Sequence, residues 1–181
     1  RHTRSFHVTG VQTCALPIFR AIAAHFVRIP RVGGVTGNPR PVNLGAWLAE
    51  MQVVEFAAQV SLMRRAQVSW GRILTMSGVV SAFRRSVLAD VGLFDPSMDT
   101  EDIELTWRIQ RRFYDVRYEP RAVVGMSVPT TLRGLVRQRL RWGRGLVQVL
   151  LRHGSLLLHW RNRRHWPVVV EAVLSILWWH A

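Results

Sequence analysis

The chain has 181 residues, enough for one domain with a buried core. A hydrophobic content of 49% excludes bulk disorder and fits a globular or membrane-associated protein. The formal charge is +14, all 25 basic residues are arginine, the single cysteine (Cys14) excludes an internal disulfide, and the scattered histidines lack zinc-binding spacing.

Two causes account for an arginine excess of this kind. One is a GC-rich coding sequence. The other is an anionic partner: nucleotide phosphates, nucleic acid or lipid headgroups. The arginines are spread along the chain, so a basic tail is not the source of the charge. The histidines, including His25, His153 and His165, read as surface or boundary residues.

Residues 1–18 lack an initiator Met and the apolar run of a signal peptide. Val8 to Ile18, VTGVQTCALPI, resembles a translated sequencing-library adapter. That sets the expected start of native sequence near Phe19; the other reading is an N-terminal arm. Phe19 to Pro30 reads as the last turns of a helix. Arg31 to Arg40 reads as a strand stopped by Gly37-Asn38-Pro39, a turn-forming triplet. Asn43 to Arg65 reads as a helix capped by Asn43, with Leu44, Trp47, Leu48, Met51, Val54 and Phe56 as its core stripe.

Ile73 to Phe83 reads as a strand interrupted at Ser77-Gly78, where a glycine marks a bulge or a close backbone approach. Ser86 is expected to cap a short helix ending at Gly92, before a loop at 93–96. Thr100 is a good N-cap for a second helix, with Glu101 and Asp102 in the first turn, where the helix dipole favours anions. Ile103, Trp107, Ile109 and Phe113 face inward on it. Two short strands around Pro120 follow. Thr131 to Leu151 is helical, with Leu132, Leu135, Val136, Leu140, Leu146, Val149 and Leu150 buried and a break at Gly143/Gly145. Residues 153–165 mix Leu, Trp and Arg, a pattern that suits an interfacial helix with arginines at anionic headgroups. Residues 166–181 are apolar, with Glu171 the only formal charge, and stop short of the roughly 20 residues a spanning helix needs. Arginines just before such a helix place the preceding domain in the cytoplasm.

Two chemical sets stand out. Thr100-Glu101-Asp102 is a carboxylate set at a helix start. Gln138-Arg139-Leu140-Arg141-Trp142 is a basic set with one aromatic plate. Taken locally, the acids need no explanation beyond capping, and the arginines none beyond a solvated face. Joined by short strands, the two sets can share one cleft.

VTGNPR (35–40), SGVVSAFRRSVLADVGLFD (77–95), TEDIELTWRIQ (100–110), YEPRA (118–122) and QRLRW (138–142) occur in that order. The set resembles the processive family 2 glycosyltransferases, within them the bacterial synthases of β-1,6-linked poly-N-acetylglucosamine. The resemblance covers about residues 20–181 and rests mainly on TED with QRLRW. It implies an α/β fold: the C-terminal half of a GT-A (nucleotide-diphospho-sugar transferase) mixed sheet, over 19–152. An interfacial segment (153–165) and a partial transmembrane helix (166–181) follow. It implies inverting transfer of N-acetylglucosamine from UDP-N-acetylglucosamine to a growing polysaccharide. Asp102 matches the general base, Gln138 and Arg141 the donor-diphosphate contacts, and Trp142 the plate under the acceptor sugar. Thr100, Glu101, Ser77 and Gly78 match the lining of the acceptor terminus.

The chain departs from that family in lacking the earlier aspartates that hold uracil and the D-x-D that holds a divalent metal (Mg or Mn). The resemblance therefore implies a metal whose ligands lie elsewhere, and a fragment inactive alone. Implied partners are the UDP-sugar, the polysaccharide, membrane lipid and a small membrane accessory subunit, with no nucleic acid. The implied location is the bacterial inner membrane, catalytic part cytoplasmic. Two other readings stay open: a hyaluronan-, chitin- or cellulose-type synthase, and an arginine-rich binder of RNA, single-stranded DNA or membranes.

Overall fold

A computed structural model describes residues 12–69, 71–155 and 159–178. The elements are α1 (Gln12–Arg28), β1 (Val32–Pro41), α2 (Trp47–Phe56), a π-helical stretch (Ala57–Met63), α3 (Arg64–Ser69), β2 (Ser81–Phe83), α4 (Arg85–Val91), α5 (Glu101–Arg111), β3 (Asp115–Met126), α6 (Leu132–His153), a 3-10 helix (Trp160–His165) and α7 (Trp166–Trp178). This is an α/β arrangement around a small mixed sheet of order β2-β1-β3. β1 runs antiparallel to β2 (Val35 opposite Ala82) and parallel to β3 (Val35 opposite Arg117).

Alternation along β1 sends successive residues to opposite faces of the sheet. Val35, with Val32 and Ala122, packs against Ile22 of α1. On the other face Val116 and Tyr118 meet Val87 and Val91 of α4 and Leu105 and Ile109 of α5. A further cluster joins Trp107 of α5, Leu146 and Val149 of α6, and Val168, Val169 and Ala172 of α7. A small one places Ala49 and Phe56 against Val128, with Trp142 beside them.

Several expectations are corrected. β1 does not stop at Gly37-Asn38-Pro39, because β3 keeps pairing beyond it, Asn38 opposite Val123, after a register shift. β3 is one strand, with Pro120 in its irregular part, where Glu119 accepts from the backbone N–H and the guanidinium of Arg121. The helix before β1, expected over the residues from Phe19, begins at Gln12; residues 1–11 lie outside the described residues. Asn43 caps nothing: its amide exchanges two 2.8 Å hydrogen bonds with the Val128 backbone, and α2 begins at Trp47. Ser86 lies inside α4, which starts after Arg84 and ends, as expected, on left-handed Gly92 (φ 91°).

The expected core stripes are also revised. Leu44, Trp47, Met51 and Val54 are exposed, while Leu48, Ala49, Gln52 and Phe56 are buried. On α6, Leu132, Val136 and Leu140 are exposed, whereas Leu146 and Val149 are buried against α7 and α5. The first half of α6 has no apolar neighbour to cover that stripe among the described residues. α6 is continuous through Gly143 and Gly145, without the expected break. α7 is a helix, but no helix among the described residues is long and apolar enough to cross a membrane. Residues 156–158 and 179–181, parts of the expected interfacial and transmembrane segments, lie outside the described residues.

Candidate active site

The start of α5 sets the position of Asp102. Thr100 occupies the N-cap position as expected, but its side chain makes no capping bond. Its hydroxyl is buried without a partner among the described residues. Asp102 Oδ2 accepts the Gly78 N–H at 3.0 Å and Oδ1 accepts the Ile103 N–H at 2.9 Å. Burial pushes the Asp102 carboxyl above the ordinary aspartate range; the Gly78 and Ile103 amides pull it back, and the Glu101 charge adds to the rise.

The loop carrying Gly78 is held by one face of the same helix. Residues 73–77, expected as strand, are not strand: side chains of α5, β1 and α3 take backbone groups of this stretch, Gln67 of α3 accepting the Leu74 N–H at 3.2 Å. Gln110 accepts from the Ile73 N–H (3.1 Å) and donates to its carbonyl (2.8 Å). The Trp107 indole donates to the Leu74 carbonyl at 3.0 Å. Thr106 Oγ1 accepts the Met76 N–H (3.0 Å) and donates to the Asp102 carbonyl (2.6 Å). Thr36 Oγ1 accepts the Ser77 N–H at 2.9 Å. Positions 102, 106, 107 and 110 share a helix face. One helix thus fixes both the carboxylate and the amide that grips it.

α6 closes the other side. A Cβ on Gly145 would lie 2.3 Å from Thr100 Oγ1, so a glycine there lets α6 seat against the start of α5. Trp142 meets the Phe56 ring edge-on at 6.5 Å, and the Arg139 guanidinium sits 4.7 Å from the Trp142 ring centre. Arg139 is itself paired with Glu55. Gln138 Oε1 is buried without a partner among the described residues. Arg141 is exposed and donates to the Asp99 carbonyl at 3.0 Å.

All eight residues singled out from the sequence, Ser77, Gly78, Thr100, Glu101, Asp102, Gln138, Arg141 and Trp142, line one cavity of about 1830 Å³. Two of them, Thr100 and Gln138, each hold a buried side-chain oxygen without a hydrogen-bond partner among the described residues. The lining mixes a desolvated carboxylate with arginines and a tryptophan plate. Such a set can accept a proton, neutralise an anion and stack a sugar ring. Among the described residues, no three His, Cys, Asp or Glu side chains come together in a way that would hold a metal ion. Both oxygens of Asp102 are engaged by backbone amides. The described residues do not form a metal site.

The family model for "Glycosyl transferase family group 2" matches residues 13–181. The chain belongs to that family. It is a family 2 glycosyltransferase sequence, 39% identical over 154 residues to the poly-beta-1,6-N-acetyl-D-glucosamine synthase of Staphylococcus aureus (strain COL). The Staphylococcus epidermidis synthase is 39% identical over 153 residues. These matches cover 85% and 84% of this chain but only 37% of each relative, so the chain spans a little over a third of their length. Among solved structures it is similar to the mannosyltransferase PcManGT from Pyrobaculum calidifontis in complex with GDP-Man and Mn2+. That likeness has a TM-score of 0.55 at 22% identity, over 84% of this chain and 44% of the other. It identifies the fold as GT-A-like.

The family 2 sequence also uses residues that its motifs did not announce. Arg64, Gln67, Trp166 and Glu171 line the same cavity, and Gln67 donates to Glu171 from 104 positions away. Glu104 is fully buried and accepts from Arg108 Nε (2.7 Å) and His153 Nε2 (3.2 Å). Arg111 donates to His153 Nδ1 at 2.8 Å, which leaves Nε2 as the protonated nitrogen of a neutral ring. Burial alone would raise the Glu104 carboxyl, yet the His153 and Arg108 hydrogen bonds hold it below the ordinary range. The Glu104–Arg108 spacing was a readable helix pair. Nothing in the sequence singled out His153, 49 residues on; it and His165 are buried, against the expectation of surface histidines, and His25 is bonded to Glu119.

Proposed function

We propose that this chain is the acceptor-side part of a membrane-bound, inverting, processive glycosyltransferase. It transfers N-acetylglucosamine from UDP-N-acetylglucosamine to a growing β-linked polysaccharide. The observation that carries this reading is the Asp102 carboxylate, gripped by Gly78 and opening on a cavity shared with Gln138, Arg141 and Trp142. Asp102 takes the proton from an acceptor hydroxyl as that oxygen attacks the anomeric carbon. The bond to the diphosphate breaks and UDP leaves with the electron pair. Trp142, braced by Phe56 and Arg139, presents an apolar ring face to the acceptor sugar. Thr100, Glu101, Ser77 and Gly78 surround the acceptor terminus. Arg141 and Gln138 meet the diphosphate, where a guanidinium fork matches phosphate oxygens.

The divalent metal belongs to a part of the longer protein preceding this chain. The segment 153–165 lies at the inner-membrane surface of a bacterium, and α7 begins the membrane region. The catalytic part then faces the cytoplasm, as the arginines before α7 suggest. The similarity to the staphylococcal synthases supports the sugar assignment.

The test is Asp102→Asn in the full-length protein, with polymer formation followed from radiolabelled UDP-N-acetylglucosamine. The amide keeps the shape and removes the base. Transfer is expected to fall about 10²–10⁴-fold, with UDP binding preserved. A variant that still makes polymer at the parent rate would remove Asp102 from the reaction.

A further inference from the structure

Arg64 opens α3 and is only 6% exposed, yet it lines the same cavity as Asp102. Among the described residues, it donates one hydrogen bond, to the Gly37 carbonyl at 3.1 Å. Its guanidinium carbon sits 6.0 Å from the centre of the Tyr118 ring, whose hydroxyl is also buried without a partner among the described residues. No carboxylate among the described residues forms an ion pair with Arg64. Asp102, whose charge reaches it, has both oxygens engaged by the Gly78 and Ile103 amides. Burial pushes the Arg64 guanidinium down to about 10, with Tyr118 and Asp102 pulling the other way.

The other arginines on the cavity wall differ. Arg139 is paired with Glu55, Arg144 faces Asp99 at 3.5 Å, and Arg141 and Arg163 are exposed, the latter over the Trp160 ring. A buried guanidinium with five donors and one neutral acceptor is costly to keep. A residue that serves only packing gains nothing from that charge. A residue that receives an anion needs it, because desolvation in advance strengthens the contact when the anion arrives.

We propose that Arg64 is a further substrate-binding residue of the cavity, taking the phosphate oxygens of the donor's diphosphate from the floor while Arg141 approaches from the rim. That the anion is a nucleotide diphosphate rests on the glycosyltransferase reading. That the guanidinium takes an anion does not.

The test is thermal unfolding of the full 181-residue chain with inorganic pyrophosphate, UDP or uridine. The variants are Arg64→Met, Arg64→Lys and Arg65→Met, the last removing an equal charge from the exposed neighbour. Pyrophosphate and UDP are expected to raise the Tm of the parent and of Arg65→Met by about 3–6 °C at roughly tenfold excess over Kd, and uridine to leave it unchanged. Arg64→Met is expected to lose that shift while its ligand-free Tm equals or exceeds the parent's, because an uncompensated buried charge is gone. Arg64→Lys should retain part of the shift, being a point charge without the fork.

A lower ligand-free Tm for Arg64→Met with the shift retained would make Arg64 a structural residue and overturn the proposal. So would the absence of any shift in the parent. A response to pyrophosphate without one to UDP would overturn the assignment to the donor. Loss of the shift in Arg64→Met beside an active Asp102→Asn enzyme would leave the anion site standing and remove the proposed reaction.

Discussion

At the scale of the residue, Asp102 is set by two opposed influences. Burial raises its pKa, and two backbone amides restrain the rise. A general base works only when ionised, so transfer is lost as pH falls through the folded pKa. That limb is expected above the ordinary aspartate value of 3.8. Gly78 is the lever on it. A Cβ there would sit 3.3 Å from Asp102 Oδ2, placing an apolar methyl against the carboxylate and desolvating it further. Gly78→Ala is expected to move the midpoint to higher pH, read as the Asp102 carboxyl titration by carbon NMR in this chain and as the acid limb of the full-length enzyme. A midpoint unchanged or moved down would mean that Gly78 does not control the base. Asp102 was singled out by the motif resemblance alone, since taken locally an acid in the first turn of a helix needs no explanation beyond the helix dipole. Arg64 was not: in the sequence it is one of 25 arginines, and only the fold shows that it is buried on the wall of the cavity.

At the scale of the element, α5 does two jobs with one face. It carries the carboxylate and hydrogen-bonds the loop that grips it, through Thr106, Trp107 and Gln110. This is why residues 73–77 defeated the strand reading. Their pattern is strand-like, but the backbone groups of Ile73, the Leu74 carbonyl and the N–H groups of Met76 and Ser77 go to side chains 30 to 41 positions away. No local rule reports such a partner. Gly145 on α6 is a parallel case: read as a break, it is a contact. A methyl there would meet Thr100 at 2.3 Å from Oγ1 and 2.4 Å from Cγ2. Gly145→Ala is expected to cost about 1–3 kcal/mol, the usual range for overpacking, and to lower Tm by roughly 2–4 °C per kcal/mol in a chain of this size. Thr100→Gly removes the obstructing atoms, so the double variant should recover part of the loss in a double-mutant cycle. Additive losses would show that α6 does not bear on Thr100.

At the scale of the whole molecule, the α/β character was readable through the resemblance that the ordered motifs carry and not through helix starts, since Asn43 does not cap α2 and Ser86 lies inside α4. Which side of each amphipathic helix faces inward was not, because that depends on what packs against it. α2 buries Leu48, Ala49 and Phe56 and leaves Trp47, Met51 and Val54 exposed; α6 leaves Leu132, Val136 and Leu140 exposed beside Arg133 and Arg137. A helix with an apolar stripe next to an arginine stripe suits the boundary between headgroups and acyl chains, and a chain of net charge +14 is drawn to anionic lipid before any side chain inserts. The two contributions separate with salt, because at about 1 M the Debye length shrinks to about 3 Å while insertion of apolar groups persists. The chain is therefore expected to co-float with vesicles containing anionic lipid at low salt and to retain a fraction of that binding at high salt. Replacing Leu132, Val136 and Leu140 together by serine should abolish the salt-resistant fraction, a loss of about 10–100-fold, and leave the salt-sensitive fraction in place. If the triple variant binds as tightly as the parent at high salt, the exposed face of α6 does not meet the bilayer, and the attraction comes from the arginines alone.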